Sequence, residues 1–127
     1  MIRLWNVPGA VSTCKRALAV RRTAGEAEAL IGDAEVNLGF AFFFEGRLLR
    51  ARRLIATGLE RLEQAQNWTF AAGALKKLGL VYCRSWRRAQ GLEELRRAYV
   101  IAQEHGIDGQ RHQIEKLYRQ YSGKEIG

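Results

Sequence analysis

Proline is almost missing from this chain. Pro8 is the only one among 127 residues, and no Ser- or Thr-rich tract accompanies it. That leaves no room for a linker or a low-complexity tail. Cysteine is nearly as scarce. Cys14 and Cys83 stand far apart among apolar helical neighbours, too few for a disulfide scaffold and too dispersed for a zinc site. They read as buried free thiols, which fits a reducing cytoplasm. His105 and His112 lack a Cys or carboxylate at metal spacing and read as surface or helix-end residues. No run approaches the ~20 apolar residues of a membrane span. The opening residues are too few and too weakly apolar for a signal peptide. The expectation is a cytoplasmic protein with no membrane partner.

Arrangements that carry catalysis are missing too. There is no Gly-rich phosphate loop after a strand, no Ser/His/Asp set and no paired histidines. Glu93 and Glu94 are adjacent, so on a helix they diverge rather than meet on one substrate. Neither an enzyme nor a cofactor is expected.

What is present is a globular balance, 47% apolar and 27% charged, enough for one domain across residues 1–127 with a modest core. Charge is lopsided: 21 Lys+Arg against 13 Asp+Glu give a formal +8. That favours a nucleic-acid or acidic-protein partner, although basic surfaces often serve only as solvated helix faces.

The hydrophobic period is helical almost throughout, and no segment alternates with period two. A turn at Asn6-Val-Pro-Gly leads into a first helix over 9–22, with Ala10, Cys14, Ala17, Leu18 and Val20 inward. Residues 23–26, Thr-Ala-Gly-Glu, fit a capping box for a second helix. It runs to Phe44 on Ala27, Leu30, Ile31, Ala34, Leu38, Ala41 and Phe42, and Gly46 stops it. A third spans 47–65 on Leu48, Ala51, Leu54, Ile55, Leu59 and Leu62. Asn67 caps a fourth over 68–84, on Phe70, Ala71, Ala74, Leu75, Leu78, Val81 and Tyr82. Ser85 caps a fifth over 86–105, on Ala89, Leu92, Leu95, Ala98, Tyr99 and Ala102, and Gly106 stops it. Asp108 starts a last helix over 109–121, on Ile114, Leu117, Tyr118 and Tyr121, and the tail beyond should fray. The fold class is all-α, with short connections that make neighbours antiparallel.

The chain also repeats itself. Shifted by 40, Leu38-Gly39 falls on Leu78-Gly79, Phe42 on Tyr82, Ile55 on Leu95 and Gly58 on Ala98. Shifted back by 41, Ala51, Ile55 and Gly58 fall on Ala10, Cys14 and Ala17. The unit is a helix pair, with repeats over 26–65 and 68–105, a half unit over 9–22 and a polar cap at 109–121. At Gly39 and Gly79 no side chain separates the two helices of a pair, so they cross closely, and Phe42 and Tyr82 fill the wedge between them.

These residues resemble the tetratricopeptide repeat family, in its longer form known from bacterial regulators and kinesin-light-chain-like arrays. The resemblance rests on Leu38, Gly39, Phe42, Ala51, Ile55 and Gly58, then on Leu75, Leu78, Gly79, Tyr82, Gly91, Leu95 and Ala98. Departures are a unit of about 40 residues rather than about 34, Glu35 at the first large apolar position, and no closing proline. The resemblance implies a short right-handed α-solenoid whose leading helices line a concave groove.

In that register the groove stripe is Asp33, Asn37, Phe40 and Phe44, then Lys77, Leu80 and Arg84, with Gly73 in the place of Asp33. Such a stripe could hold a peptide: Asn37 on its backbone, the rings on an apolar anchor, Lys77 and Arg84 on an acidic group. The bland alternative is that Phe40 and Phe44 are core. Residues 24–45 hold acids and no Lys or Arg, residues 66–91 the reverse, which suits salt bridges between repeats. Arg47, Arg50 and Arg53, with Arg87, Arg88 and Arg97, form a ridge on the second helices that could meet phosphates, with Trp86 nearby. A single Trp at a helix start is, however, more often packing. The half unit at the start suggests a longer array or an edge buried against a second copy. The leading expectation is a protein- or peptide-interaction module, possible as part of a larger regulator. A basic adaptor touching RNA or DNA and a self-associating scaffold are the alternatives.

Overall fold

The computed structural model describes residues 7–23 and 27–127. It is all-helical, with six helices and no strand among the described residues: α1 (Val7–Thr23), α2 (Glu28–Phe44), α3 (Leu48–Gln64), α4 (Trp68–Cys83), α5 (Arg88–Glu104) and α6 (Asp108–Ser122). None of them is long and apolar enough to cross a membrane. The packing of adjacent helices is consistent with a helical repeat. The chain forms two compact units, Met1–Ala65 and Gln66–Gly127.

From α2 onward the helices begin at 28, 48, 68, 88 and 108, one every 20 residues. The turns share a mechanism. Two positions before each of the last four starts stands a residue with positive φ: Gly46 at 81°, Gln66 at 55°, Trp86 at 67° and Gly106 at 65°. At three of them the next backbone N–H bonds back into the helix just ended: Arg47 to Phe42 O at 3.0 Å, Arg87 to Tyr82 O at 3.0 Å, and Ile107 to Ala102 O at 2.8 Å. This pairing satisfies carbonyls that a helix end leaves open.

In the first unit, α2 lies against both α1 and α3. It is apolar around most of its circumference, as a helix packed on several sides must be. Ile31, Ala34, Val36, Leu38, Ala41 and Phe42 are buried, with Val11 and Leu18 of α1 and Ala51, Ile55, Leu59 and Leu62 of α3. Two glycine contacts set the α2–α3 approach. A Cβ at Gly39 would lie 2.8 Å from Ala51 O, and one at Gly58 would lie 2.5 Å from Gly32 O. In the second unit, α5 and α6 both lie against α4. Ala71, Ala74, Leu75, Leu78 and Val81 are buried, with Leu95, Ala98 and Ala102 of α5 and Ile114 and Tyr118 of α6. Here the close crossing is at Gly79 and Gly91: a Cβ on Gly91 would sit 2.6 Å from Gly79 O and 2.5 Å from Cys83 Sγ.

Several expectations need correction. Val7, Pro8 and Gly9 belong to α1 rather than to a turn before it, because a proline in the first helical turn gives up an N–H that has no partner there anyway. Of the capping box at 23–26, Thr23 is the last residue of α1 and 24–26 lie outside the described residues, as do Leu4 and Trp5; α2 itself opens from Ala27 without a side-chain cap. Asn67 does cap α4, accepting from Phe70 N at 3.1 Å. Ser85 does not cap α5. Its hydroxyl donates back to Val81 O, and Arg87 holds the N-cap position. Ala17, Val20, Leu48 and Ala89 are exposed rather than inward. In the tail, Arg119 bonds Glu125 through Nε and Nη2 at 2.9 and 3.2 Å, and Ser122 Oγ accepts from Lys124 N.

Candidate functional site

The α2 stripe keeps its predicted register. Asp33, Asn37, Phe40 and Phe44 follow one another at four, three and four residues, so they share a face. Asn37 is exposed and the other three are half-buried, on a helix whose remaining positions are mostly covered. Asn37 Nδ2 donates to Asp33 Oδ2 at 3.5 Å. Phe40 and Phe44 meet edge to face with centroids 5.0 Å apart, and Phe43 lies 5.9 Å from Phe40 and 5.4 Å from Phe44. The rings thus brace each other before anything binds. Beside the polar end, α1 and α2 enclose a recess of about 110 Å3 lined by Thr13, Cys14, Ala17 and Arg21 and by Asp33, Ala34 and Asn37. Burial pushes the pKa of the Cys14 thiol up.

In the second unit Lys77 and Leu80 are half-buried and Arg84 is exposed on α4. Gly73 is covered by α6: a Cβ there would come 2.9 Å from Gln110 Nε2. Lys76, next to Lys77, donates to Gln113 of α6. Burial, and then the charge of Lys77, lower its pKa.

The arginine ridge is partly committed to the protein itself. Arg47 pairs with Glu45 at 2.9 Å and Arg97 with Glu94 at 2.8 Å. Arg47 and Arg50 lie over the Phe42 ring at 6.0 and 5.1 Å, joined by Lys15 at 5.6 Å. Between the arginines the sequence hid an apolar patch. Leu48 is 39% and Leu49 50% exposed, and with Arg47, Arg50, Arg53, Leu54 and Thr57 they line an open hollow of about 560 Å3 along α3. Arg87 and Arg88 are exposed at the start of α5.

Two acids of α2, Glu28 and Glu35, pair with cations on the helices packed against it. Glu35, 1% exposed, takes Arg22 Nη2 of α1 on one oxygen at 2.9 Å and Arg61 Nε of α3 on the other at 2.8 Å. Arg61 also reaches Glu28 at 2.8 Å. The charge of Glu35 raises the Arg61 pKa above its already high value. This cluster was invisible as a site in the sequence, where Glu35 is only an interruption of an apolar pattern. It is a clamp holding three helices, with both carboxylate oxygens engaged and the side chain buried away from any ligand.

His105 is the C-cap of α5 and stacks on Trp68 at 5.1 Å, and His112 faces Glu115 at 3.4 Å. Among the described residues no group of His, Cys, Asp or Glu is placed to hold a metal. The chain matches no protein-family model, no curated protein and no solved structure.

Proposed function

We propose that this chain is a tetratricopeptide-like helical module that binds a segment of another protein, with the α2 stripe as its contact face. The observation that carries this reading is the stripe itself: on a helix otherwise almost wholly covered, an exposed amide, a carboxylate and two mutually braced rings stay open in one line. The amide of Asn37 suits the backbone of an extended or helical peptide, and the half-exposed rings of Phe40 and Phe44 suit one apolar anchor. Lys77, Leu80 and Arg84 occupy the same register in the second unit, where they suit an acidic or apolar residue. No catalytic step is part of this reading.

Selection from a displayed random-peptide library tests it. The parent protein is expected to enrich sequences sharing an apolar anchor. Asn37→Ala with Phe44→Ala, checked for an unchanged helical spectrum, is expected to bind the winners at least about tenfold more weakly, as loss of a buried aromatic anchor does. Enrichment of no shared motif, or equal binding by the folded variant, would overturn the proposal.

A further inference from the structure

The turn between α4 and α5 holds a residue that nothing in its own unit accounts for. Trp86 is 99% exposed and sits at φ 67°. The matching place in two other turns holds Gly46 and Gly106, and glycine enters this conformation without steric cost. A bulky side chain there is an outlier, and this one gains no burial in return. Strain kept where it brings no internal contact points outward. The ring does not stand alone, because Arg84, Arg87 and Arg88 are exposed beside it. Nor is the turn loose. The hydroxyl of Ser85 bonds to Val81 O, and Arg87 N bonds to Tyr82 O at 3.0 Å. The indole is therefore presented from a fixed backbone, among cations.

We infer that this turn is a docking point for single-stranded nucleic acid, with Trp86 stacked on a base and Arg87 and Arg88 on the flanking phosphates. An open ring accepts any base, since every base has a π face, and the guanidinium groups follow the backbone. The formal charge of +8 draws a polyanion toward the surface. A duplex fits less well because its bases are already stacked. A lipid surface also fits less well: residues 84–90 offer one aromatic side chain beside Arg, Ser, Ala and Gln, whereas insertion uses a broad apolar face. The docking point uses Trp86, Arg87 and Arg88, none of which belongs to the peptide reading, so either can fail without the other.

Fluorescence anisotropy with a labelled oligothymidine of about a dozen nucleotides tests the inference, beside a duplex of equal length and vesicles containing phosphatidylglycerol. The parent is expected to bind the single strand at low salt and to weaken as salt rises. Trp86→Gly relieves the left-handed strain, so it is expected to fold at least as well while binding about tenfold more weakly at every salt concentration. Arg87→Ala with Arg88→Ala is expected to flatten the salt dependence. No binding at low salt, undiminished binding by Trp86→Gly, or preference for duplex or vesicles would each overturn it.

Discussion

The two units place different chemistry at the same address. Position 35 of α2 and position 75 of α4 correspond by the 40-residue shift, and both are buried, at 1% and 0% exposure. One is a glutamate and the other a leucine. The partners change with them: Arg61 on α3 corresponds to Ile101 on α5. The first unit gathers α1, α2 and α3 around a carboxylate held by two guanidinium groups. The second packs α4 and α5 around aliphatic side chains, and α5 reaches α6 through a hydrogen bond that Arg96 donates to the Tyr118 hydroxyl at 2.6 Å. A buried ion pair loses hydration that its Coulomb attraction roughly repays, so it adds little stability over an apolar filling. What it adds is direction. A leucine accepts many neighbours, whereas a carboxylate with two fixed donors selects one placement of α1.

The largest effect should come from leaving that carboxylate underpaired. Arg61→Ala removes its closest donor, and we expect a loss of about 3 kcal/mol in urea unfolding, the scale for an orphaned buried charge. Glu35→Leu with Arg61→Ile copies the second unit instead. That double variant should stay within about 1 kcal/mol of the parent, because no buried charge is left and the volume is nearly kept. If it falls as far as Arg61→Ala does, the ionic filling is worth more than this comparison allows.

Next in size is the helix crossing. Both units cross tightly near the turn, at Gly39 and Ala51 in the first and at Gly79 and Gly91 in the second. The first also closes far from its turn, at Gly32 and Gly58, where the second has Ala72 and Ala98. Gly58→Ala imports the residue of the second unit, but its Cβ would lie 2.5 Å from Gly32 O and 2.7 Å from Val36 Cγ2. A backbone oxygen cannot step aside, so the helices must part. We expect a cost of about 2 kcal/mol by the same unfolding measurement. A cost near zero would mean that α2 and α3 slide freely.

How far the sequence discloses this depends on whether a residue's job is local. Gly46, Gly106 and the Asn67 cap act through their own backbone or through one neighbouring turn, and residue type with spacing is enough to read them. The all-α class and the 40-residue shift follow from the same short-range pattern. Glu35 is different. Its partners lie 13 and 26 residues away on other helices, and in one dimension it looks like a flaw in an apolar stripe. Leu48 misleads for a related reason: in the first turn of α3 both leucines of the pair stay exposed, at 39% and 50%, and the inward positions begin at Ala51. The α2 stripe was readable in register because it lies beside the core stripe. The recess next to it was not, because α1 supplies its other wall.

The smallest effect concerns the turns, and it is the cleanest test of the 20-residue beat. Gly46 and Trp86 hold the same place, at φ 81° and 67°. A left-handed conformation costs a residue with a Cβ about 1–2 kcal/mol, while glycine's extra freedom in the unfolded chain costs about 0.5–1 kcal/mol. Gly46→Ala should therefore lose about 0.5–1 kcal/mol, and Trp86→Gly should gain a similar amount. The two variants move the urea midpoint in opposite directions although neither site is near a packed neighbour: no atom lies within 4 Å of a Cβ built on Gly46, and Trp86 is 99% exposed. A loss of stability in Trp86→Gly would mean that the indole packs on its own chain, and it would remove the premise that the ring is held out for a partner.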